Sequence, residues 1–493
     1  MRDLSIRAPL YALAAVVAIP IAILLYSSGP AGITSSMEDP QFMSSLGVTV
    51  LGASIATALN ALLGTPAAYA LARRMVRWHG ALYDLLLSPV SIPHTVVGIM
   101  LLLVFSPASP LYAALGALNP LDTLWGMSLA MFYVSAPIYV MAMREHFERS
   151  DPELEHFMGS LGLAPSAVFY SILVRGSIGS IARISLLSMG RAISEFGSLV
   201  ILAYSVSLAP LFHYVKPATV LIWYKYDVYG LSSAVGYASA LLLVTLALSM
   251  LAYLASGDRG EGEGTLARGI QRAPRGLRVG PGERALLCGP NGSGKTTLML
   301  GVIGAIESRG GVTVMGRDVS GLPTHERGIA YVPAQPVIPG WMRVRELSGL
   351  LPGSAGADRM LEEFGLRWAS DRRAGELSTG ERKVVQISMA LSSAARAILL
   401  DEPFSNLSGE WASTLDGLLK AERRPLVISH QERVPGFDIY VRLPLDREGD
   451  ADLRCPAADT FSRGDGPPFG RCNAAFRSPE QRARGDSNPW PTA

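Results

Sequence analysis

The chain has 493 residues, of which 49% are hydrophobic and only 17% charged, and its formal net charge is +2. Charge is concentrated in the second half, since 24 of the first 255 residues are charged against 60 of the remaining 238. Soluble proteins usually contain about 25% charged residues, so this distribution excludes a purely soluble and a purely intramembrane protein. It predicts a membrane half followed by a soluble half. The small net charge gives no reason to expect nucleic-acid binding.

Six apolar stretches in the first half are each long enough to cross a bilayer as a helix, which takes about 20 residues. They cover residues 8–28, 45–71, 81–106, 122–143, 178–204 and 229–255. Arg2 and Arg7 precede the first stretch and also allow a cleaved signal peptide. Its apolar run exceeds the roughly 7–15 residues of a signal core and five more stretches follow, so we favour a membrane span. An α-helical polytopic membrane domain with six transmembrane helices is predicted over residues 1–255.

The distribution of arginine predicts the orientation, because cytoplasmic loops carry an excess of positive charge. The first outer loop, 29–43, carries only Glu38 and Asp39, and the second outer loop, 107–121, has no charge. Arginines flank the other ends of the spans, at Arg2, Arg7, Arg73, Arg74, Arg77, Arg144, Arg149 and Arg175. We therefore expect a multi-pass protein of the cell membrane with its soluble half in the cytoplasm.

A short helix is predicted over 151–162, in the loop between the fourth and fifth spans. Asp151-Pro152 is typical of a helix start, and acidic residues follow in the first turn. Apolar residues recur at helical spacing and then Gly162 and Pro165 end the helix. The apolar stripe consists of Leu154, Phe157, Met158 and Leu161. Such a helix could lie on the membrane surface or dock its apolar face into another protein domain.

The soluble half has three predicted parts. Residues 256–279 are rich in glycine and charge and are expected to form a flexible linker. Residues 280–445 are predicted to form an α/β nucleotide-binding domain. Residues 446–493 can bury little apolar surface, and we expect a disordered tail. The three cysteines of the chain are too few and too scattered for a disulfide framework or a thiolate metal site.

A phosphate-binding loop is predicted after the apolar strand R-A-L-L-C, in the sequence G-P-N-G-S-G-K-T-T-L at 289–298. The pattern G-x-x-x-x-G-K-[ST] turns successive backbone N–H groups onto phosphate oxygens at the start of a helix. Lys295 is expected to reach the β- and γ-phosphates, and the Thr296 hydroxyl to bind Mg²⁺. The predicted ATP-binding residues here are Gly289, Pro290, Asn291, Gly292, Ser293, Gly294, Lys295, Thr296 and Thr297.

About 100 residues further on, the sequence A-I-L-L-D-E-P-F at 397–404 places two carboxylates after a buried strand. Asp401 is expected to hold Mg²⁺ through water, and Glu402 to polarise the attacking water as general base. Lys295, Glu402 and a histidine in V-I-S-H at 427–430 are the predicted catalytic residues. The order and distances of these motifs predict a P-loop ATPase.

The soluble half resembles the ABC-type ATPases. L-S-T-G-E-R-K at 377–383 resembles the ABC signature, and the resemblance implies that Ser378 and Gly380 cap the ATP held by the opposite subunit. It also implies that His430 contacts the γ-phosphate. Y-V-P-A-Q-P at 331–336 resembles the Q-loop; Ala334 stands at the expected place of the glutamine, and we assign the ATP- and Mg²⁺-sensing role to Gln335.

The membrane half resembles the molybdate, tungstate and sulfate permeases of ABC importers. The loop around 151–175 keeps the spacing of their coupling loop, with Gly162 at its glycine, although His156-Phe157-Met158 replace the usual E-A-A. G-R-A-I-S-E-F-G at 190–197 resembles a segment of these permeases. Arg191 and Glu195 lie four residues apart on one helix face, either as an ion pair that fixes packing or as part of the transport path.

The resemblance implies ATP-driven import of an oxyanion, with ATP and Mg²⁺ as cofactors, by a homodimer embedded in membrane lipid. An extracellular oxyanion-binding protein is the implied partner. Residues 218–231 favour tungstate or molybdate over sulfate. The alternatives are a sulfate or thiosulfate importer, an exporter, and a membrane regulator that binds ATP with little turnover; the coupling loop disfavours an exporter, and the intact ATPase motifs disfavour a regulator.

Three departures from the ABC pattern affect the expected turnover. Residues 262–288 contain no aromatic residue to stack on adenine, the stretch from Gln335 to Leu377 is short, and Ser408 replaces an expected aspartate. Stacking on a base contributes about 1–3 kcal/mol. ATP affinity is therefore expected to be about tenfold weaker or more.

Overall fold

A computed structural model describes residues 4–208, 212–254, 279–306, 311–352, 356–432 and 436–443. Residues 256–278 of the predicted linker and the whole of the predicted tail lie outside the described residues. The chain divides into two compact units. The first contains Met1–Ser150 and Ser177–Thr265, and the second contains Asp151–Gly176 and Leu266–Ala493. The predicted boundaries at 255 and 280 stay predictions, whereas the segment 151–176 belongs to the second unit.

Nineteen α-helices occur in the described residues. They are α1 Leu4–Glu38, α2 Pro40–Leu59, α3 Thr65–Ala72, α4 His79–Leu87, α5 His94–Val104, α6 Tyr112–Leu115, α7 Leu124–Arg149, α8 Glu153–Ser160, α9 Pro165–Val168, α10 Val174–Gly176, α11 Ile178–Ile193, α12 Leu199–Leu202, α13 Ala218–Tyr229, α14 Leu231–Leu254, α15 Lys295–Ile303, α16 Val344–Gly349, α17 Ala357–Glu363, α18 Thr379–Ser392 and α19 Gly409–Ala421. Single π-helical turns at Asn60–Gly64 and Phe169–Leu173 connect α2 to α3 and α9 to α10.

Nine β-strands complete the described structure. They are β1 Val206–Leu208, β2 Phe212–Val215, β3 Arg284–Cys288, β4 Thr313–Val314, β5 Arg317–Asp318, β6 Ile329–Val332, β7 Ala397–Leu400, β8 Leu426–His430 and β9 Ile439–Arg442. The pairs β1–β2 and β4–β5 are antiparallel. The remaining strands form one parallel sheet in the order β6-β7-β8-β3-β9.

The first unit contains most of the helices that are long and apolar enough to cross a membrane. Four described helices meet this condition on their own, and up to six if each of two bent helix pairs is counted as one span. The prediction of six spans equals the upper count, although the second bent pair, Pro165–Gly176 with Ile178–Ile193, only overlaps the predicted fifth span 178–204. The four are Ala8–Glu38, Pro40–Ala72, Leu124–Arg149 and Leu231–Leu254. The predicted third span is one of the bent pairs, because α4 and α5 meet at 112° around residues 91–93.

The segment 29–43, predicted as the outer loop between the first two spans, is largely helical, and its side of the membrane stays a prediction. Helix α1 continues to Glu38 and is interrupted only at Gly29, whose φ is 60°. Pro30 follows at once, and proline is favoured in the first turn of a helix because it has no N–H to leave unsatisfied. Asp39 then caps α2, its carboxylate accepting a hydrogen bond from the Gln41 N–H at 2.8 Å.

Buried polar contacts fix the packing among the helices of the first unit. The Asn60 amide donates to the hydroxyls of Ser135 and Ser188, at 2.8 and 3.0 Å. These residues belong to the π-helical turn after α2, to α7 and to α11. Because an unpaired buried amide N–H is costly, these hydrogen bonds restrict how far the three segments can shift relative to one another.

The second unit combines the parallel sheet with a core that also contains the apolar face of α8. Phe157 and Met158 are fully buried in one cluster with Leu286 of β3 and Leu400 of β7. The helix begins at Glu153, two residues after the predicted start, and Gly162, with φ of 97°, follows its end as predicted. The docking interpretation of the apolar stripe is confirmed. The alternative, a helix lying on the membrane surface, was wrong.

Gly126 in the first turn of α7 provides a test of the packing in the first unit. A methyl group at this position would overlap the backbone carbonyl of Pro120. We expect Gly126→Ala to destabilise the protein by about 1–3 kcal/mol, the usual effect of overpacking. Thermal unfolding in detergent measures the change. Gly179→Ala in the first turn of α11 is the matched control, because its surroundings are open; equal melting temperatures for the two variants would contradict the prediction.

Candidate nucleotide-binding site

The predicted ATPase motifs follow four strands of the parallel sheet. The phosphate-binding loop follows β3, Asp401 and Glu402 follow β7, His430 ends β8, and the Q-loop segment follows β6. These strands are consecutive neighbours in the sheet order. Because the carboxyl ends of parallel strands meet at one edge, ligands of open α/β sheets bind there. The fold therefore brings all four motifs to the same edge of the sheet.

The loop 289–294 has the backbone shape of a phosphate-binding loop. Gly292 and Gly294 have φ of 79° and 95°, a region that glycine adopts without strain. Helix α15 begins at Lys295, which is 6% exposed. The Lys295 ammonium donates to the carbonyls of Gly289 and Pro290 at 2.7 and 3.1 Å. The lysine thus lies beneath the loop with its charge at the start of the helix.

A cleft of about 210 Å³ opens over this loop. It is lined by Asn291, Gly292, Ser293, Gly294, Lys295, Thr296, Thr297 and Glu402. The Ser293 hydroxyl is buried and has no hydrogen-bond partner among the described residues. An unsatisfied buried hydroxyl is costly, and a phosphate oxygen would satisfy it. Together with the positive end of α15, the cleft suits a polyphosphate.

A chain of hydrogen bonds fixes Asp401 beside the loop. The Thr296 hydroxyl donates to one carboxylate oxygen at 2.6 Å, and the Ser429 hydroxyl donates to the other. The Ser429 hydroxyl also accepts from the Glu402 N–H at 2.9 Å. Carboxylate and hydroxyl oxygens are ligands that suit Mg²⁺, so Thr296 and Asp401 fit the predicted metal role. Ser429 was not among the predicted site residues, although it directly precedes His430 in the V-I-S-H segment.

The other predicted site residues lie outside the residues that line the cleft. Gln335 is exposed in the turn after β6, and the His430 Nδ1 accepts from the Glu432 N–H at 3.1 Å. Ser378 caps α18 and forms a capping box with Glu381. Gly380 lies against the carbonyl of Asn406, which a Cβ atom would approach to 2.9 Å. Their roles stay predictions, and those of Ser378 and Gly380 require a second copy.

Lys383 is a buried cation that the sequence did not single out. Its ammonium donates to the carbonyls of Pro333 at 2.9 Å, Ala334 at 2.5 Å and Asp401 at 3.3 Å. Burial lowers the pKa of Lys383 to about 8. Three residues along α18, the Gln386 carbonyl oxygen accepts from the Val337 N–H at 2.7 Å. Helix α18 therefore holds the backbone on both sides of Gln335.

Helix α8 reaches the same region of the second unit. The Ser160 hydroxyl accepts from the Tyr331 N–H of β6 at 2.8 Å and donates to the Phe157 carbonyl at 2.7 Å. Burial, and then the nearby carboxylates of Asp151 and Asp401, raise the pKa of Glu153 to about 7. The helix is thus joined to the strand that leads into the Q-loop segment, and its first turn lies within the electrostatic field of Asp401.

In the first unit, the structure brings Arg191 and Glu195 together as the spacing predicted. The Arg191 Nη1 lies 3.3 Å from the Glu195 Oε2. His94 of α5 joins them, with its Nδ1 3.5 Å from the same oxygen. The histidine was missed because it is 97 residues from Arg191 in the sequence and has no local pattern.

Comparison with known proteins finds relatives for both halves of the chain. A family model described as ABC transporter matches residues 275–405. The molybdate/tungstate transport system permease protein WtpB of Pyrococcus furiosus is 33% identical over 219 residues, 44% of this chain and 79% of the relative. WtpB of Thermococcus kodakarensis is 35% identical over 245 residues, 49% of this chain and 90% of the relative. A probable sulfate transport system permease protein of Zygnema circumcarinatum is 28% identical over 222 residues, 44% of this chain and 75% of the relative.

The phosphate-binding loop, the parallel sheet and the family match define the second unit as an ABC-type ATPase domain that binds ATP, and the chain is an ATP-hydrolysing transporter. The apolar helices and the permease relatives make it a multi-pass membrane protein. It belongs to the molybdate, tungstate and sulfate permease family of ABC transporters, with the permease and the ATPase fused in one chain.

The pKa of Glu153 generates a pH-dependent prediction. Its pKa in the folded protein is about 7, above the ordinary value of 4.5, so the folded state binds the proton more tightly. The contribution of this group to the free energy of unfolding therefore falls as pH rises from about 4.5 to about 7. We expect Glu153→Gln to make the decrease in melting temperature between pH 5 and 7.5 shallower.

Melting curves of purified protein at constant ionic strength measure this slope. Glu410→Gln removes one exposed negative charge from α19 and serves as the control for net charge. If Glu153→Gln retains the wild-type slope, or if both variants flatten it equally, the burial of Glu153 does not govern this pH dependence.

Proposed function

We propose that this chain imports an oxyanion, most readily tungstate or molybdate, across the cell membrane at the expense of ATP. The observation that carries the proposal is the combination, in one chain, of a permease region related to molybdate/tungstate permeases and an ABC ATPase unit that includes α8. The molybdate and tungstate transport systems to which these relatives belong support the substrate class. The distribution of arginines among the loops supports a cytoplasmic location of the ATPase domain.

The ATPase step depends on charge placed around the cleft. The loop N–H groups and Lys295 bind the β- and γ-phosphates, and Lys295 stabilises the negative charge that develops during transfer. Glu402 lines the cleft and accepts the proton of the attacking water as general base. Mg²⁺, when bound at Thr296 and Asp401, supplies charge neutralisation on the phosphate oxygens.

A homodimer completes the proposed site. Ser378 and Gly380 at the start of α18 would face the γ-phosphate of ATP bound to a second copy. His430 would contact the γ-phosphate, and Gln335 would report whether Mg²⁺ and phosphate are present. The hydrogen bonds from α18 to residues 333–337 support this coupling of the signature and Q-loop segments, since a shift of one backbone moves the other.

Helix α8 is the proposed link between hydrolysis and transport. It belongs to the ATPase unit but is covalently continuous with α7 before it and α11 after it. Closure of two ATPase units would carry α8 with them, because its apolar side chains are part of their core. The movement would reach the membrane helices through the chain on either side and open the path alternately to the two sides.

An extracellular oxyanion-binding protein would deliver the substrate. A sulfate importer is the second candidate, and the 28% identity to a probable sulfate permease favours it. Tetrahedral dianions of similar size differ little in the contacts they offer, so selection would fall to the binding protein. A regulator that binds ATP with little turnover would need a defective cleft, and the arrangement of Thr296, Asp401 and Glu402 argues for turnover.

ATP hydrolysis in liposomes tests the proposed function. The transporter is reconstituted with its binding protein, which is loaded in turn with tungstate, molybdate or sulfate, and hydrolysis and anion uptake are measured together. We expect one loaded form to stimulate both. Glu402→Gln should retain ATP binding and lose hydrolysis by a hundredfold or more, about the contribution of a general base. Stimulation by sulfate alone would favour the second candidate, and a rate indifferent to all three anions would contradict oxyanion import.

The docking of α8 generates a second prediction. Replacing both Phe157 and Met158 by aspartate places two carboxylates in an apolar core, where an unpaired charge costs several kcal/mol. We expect α8 to leave this site, so that uptake falls at least tenfold while ATP hydrolysis continues. Ser166→Asp introduces a carboxylate at an exposed position of the same segment and should retain uptake. Normal uptake by the double variant would contradict the role of α8.

A further inference from the structure

Two helix breaks of the membrane unit lie side by side. One is the bend between α4 and α5 at 91–93, and the other is the non-helical stretch 194–198 between α11 and α12. Two glycines permit the close approach. A Cβ atom at Gly197 would lie 2.7 Å from the His94 Cβ, and one at Gly98 would lie 2.9 Å from the Ser198 carbonyl oxygen. The two breaks therefore form one packed junction.

Three ionisable side chains meet at this junction. The Arg191 Nη2 lies 3.0 Å from the His94 Nε2, and the Arg191 Nη1 lies 3.3 Å from the Glu195 Oε2. The other Glu195 oxygen accepts from the N–H and the hydroxyl of Ser198, both at 2.9 Å. The Thr219 hydroxyl donates to the Glu195 carbonyl at 2.7 Å. Hydrogen bonds thus hold both the side chain and the backbone of Glu195. Its carboxylate in turn positions the side chains of Arg191 and His94.

The three side chains differ in how much they are exposed, and this difference indicates which of them a ligand can reach. The Glu195 side chain is 1% exposed, whereas those of Arg191 and His94 are 25% and 41% exposed. Ser194 and Thr95 beside them are also exposed. We call His94, Thr95, Arg191 and Ser194 the cationic face. The Glu195 carboxylate points into the unit. The Arg191 guanidinium, which donates to His94 and Glu195, stays partly exposed.

A charged surface within predicted membrane spans cannot face lipid without a large cost, so it faces protein or a water-filled path. The donors of the cationic face suit an anion. The arginine guanidinium can bind two oxygens of one oxyanion, and α5 begins at His94, where a helix presents the positive end of its dipole. Glu195 balances the charge of Arg191, which favours weak binding and prompt release, as a transport path requires.

We propose that the cationic face is a binding site for the transported oxyanion on its path through the membrane. It is formed by the same face of two copies of the chain, with Glu195 as the positioning residue that orients Arg191. This inference rests on the proposed function and specifies where the dianion is held after the binding protein has released it. It also assigns the Arg191–Glu195 pair to the transport path rather than to packing alone.

The test measures tungstate, molybdate and sulfate uptake, ATP hydrolysis and melting temperature for the full chain in liposomes with its loaded binding protein. Arg191→Gln combined with Glu195→Gln removes both charges without leaving a buried carboxylate unpaired. We expect uptake to fall by about tenfold or more, the contribution of charged hydrogen bonds to an anion, while binding-protein-stimulated hydrolysis stays within about twofold. Arg183→Gln, which removes another cation of α11, is the matched control and should transport normally.

A second variant keeps the proposal falsifiable if the double variant fails to fold. The His94 side chain is exposed enough for His94→Gln to leave the melting temperature unchanged, and we expect its uptake to fall about threefold or more with normal hydrolysis. Normal uptake by either folded variant would overturn the site. Wild-type protein that hydrolyses ATP but takes up none of the three anions would overturn the proposed function, and the site with it, whereas wild-type uptake with unaffected variants would overturn the site alone.

Discussion

The carboxylate of Asp401 is the group on which the organisation of the ATPase unit depends. It is 1% exposed, and a buried carboxylate is stable only when its oxygens are fully hydrogen-bonded or paired with charge. Thr296 and Ser429 satisfy its oxygens, and the Lys383 ammonium donates to its backbone carbonyl. The first two partners come from the first turn of α15, which follows β3, and from β8, so the need to satisfy one carboxylate sets the relative positions of the phosphate-binding loop, Glu402 and the V-I-S-H segment.

The need to pair buried charges also involves α8. Lys383 is buried with its charge compensated by Asp401, Glu402 and Glu153, and Glu153 is contributed by α8. The helix is therefore held by two kinds of interaction, an apolar face in the core and an acidic first turn near the cation of α18. Burial lowers the pKa of Lys383 and raises that of Glu153, so both charges are held at a cost. A change in the contacts around Asp401 would therefore affect α8 through electrostatic interactions as well as through packing.

The sequence predicted those parts of the site that are local in the chain. The phosphate-binding loop, the D-E pair after β7 and the limits of α8 follow from short spacings whose physical cause lies within ten residues. Ser429, Lys383 and His94 were missed because each acts on groups that only the tertiary fold brings near. The junction at 91–93 was predicted as one continuous span, since apolar composition indicates the length of a hydrophobic stretch but not a bend within it. The helical course of 29–38 was missed because the predicted apolar span ends at residue 28, and composition alone does not show that a helix continues past it.

The two units differ in how far their paired charged side chains are buried. In the ATPase unit, Asp401 and Lys383 are buried and their hydrogen-bond partners belong to the same chain, which suits a rigid catalytic frame. Of the three ionisable side chains at the junction in the membrane unit, Glu195 is buried, while Arg191 and His94 retain exposure that a lipid environment would penalise. That exposure is tolerable only where water, a second copy or an anion covers it. A guanidinium that is paired yet partly exposed, and so accessible to a passing dianion, is the physical property that would distinguish a transport site from an ion pair that serves packing alone.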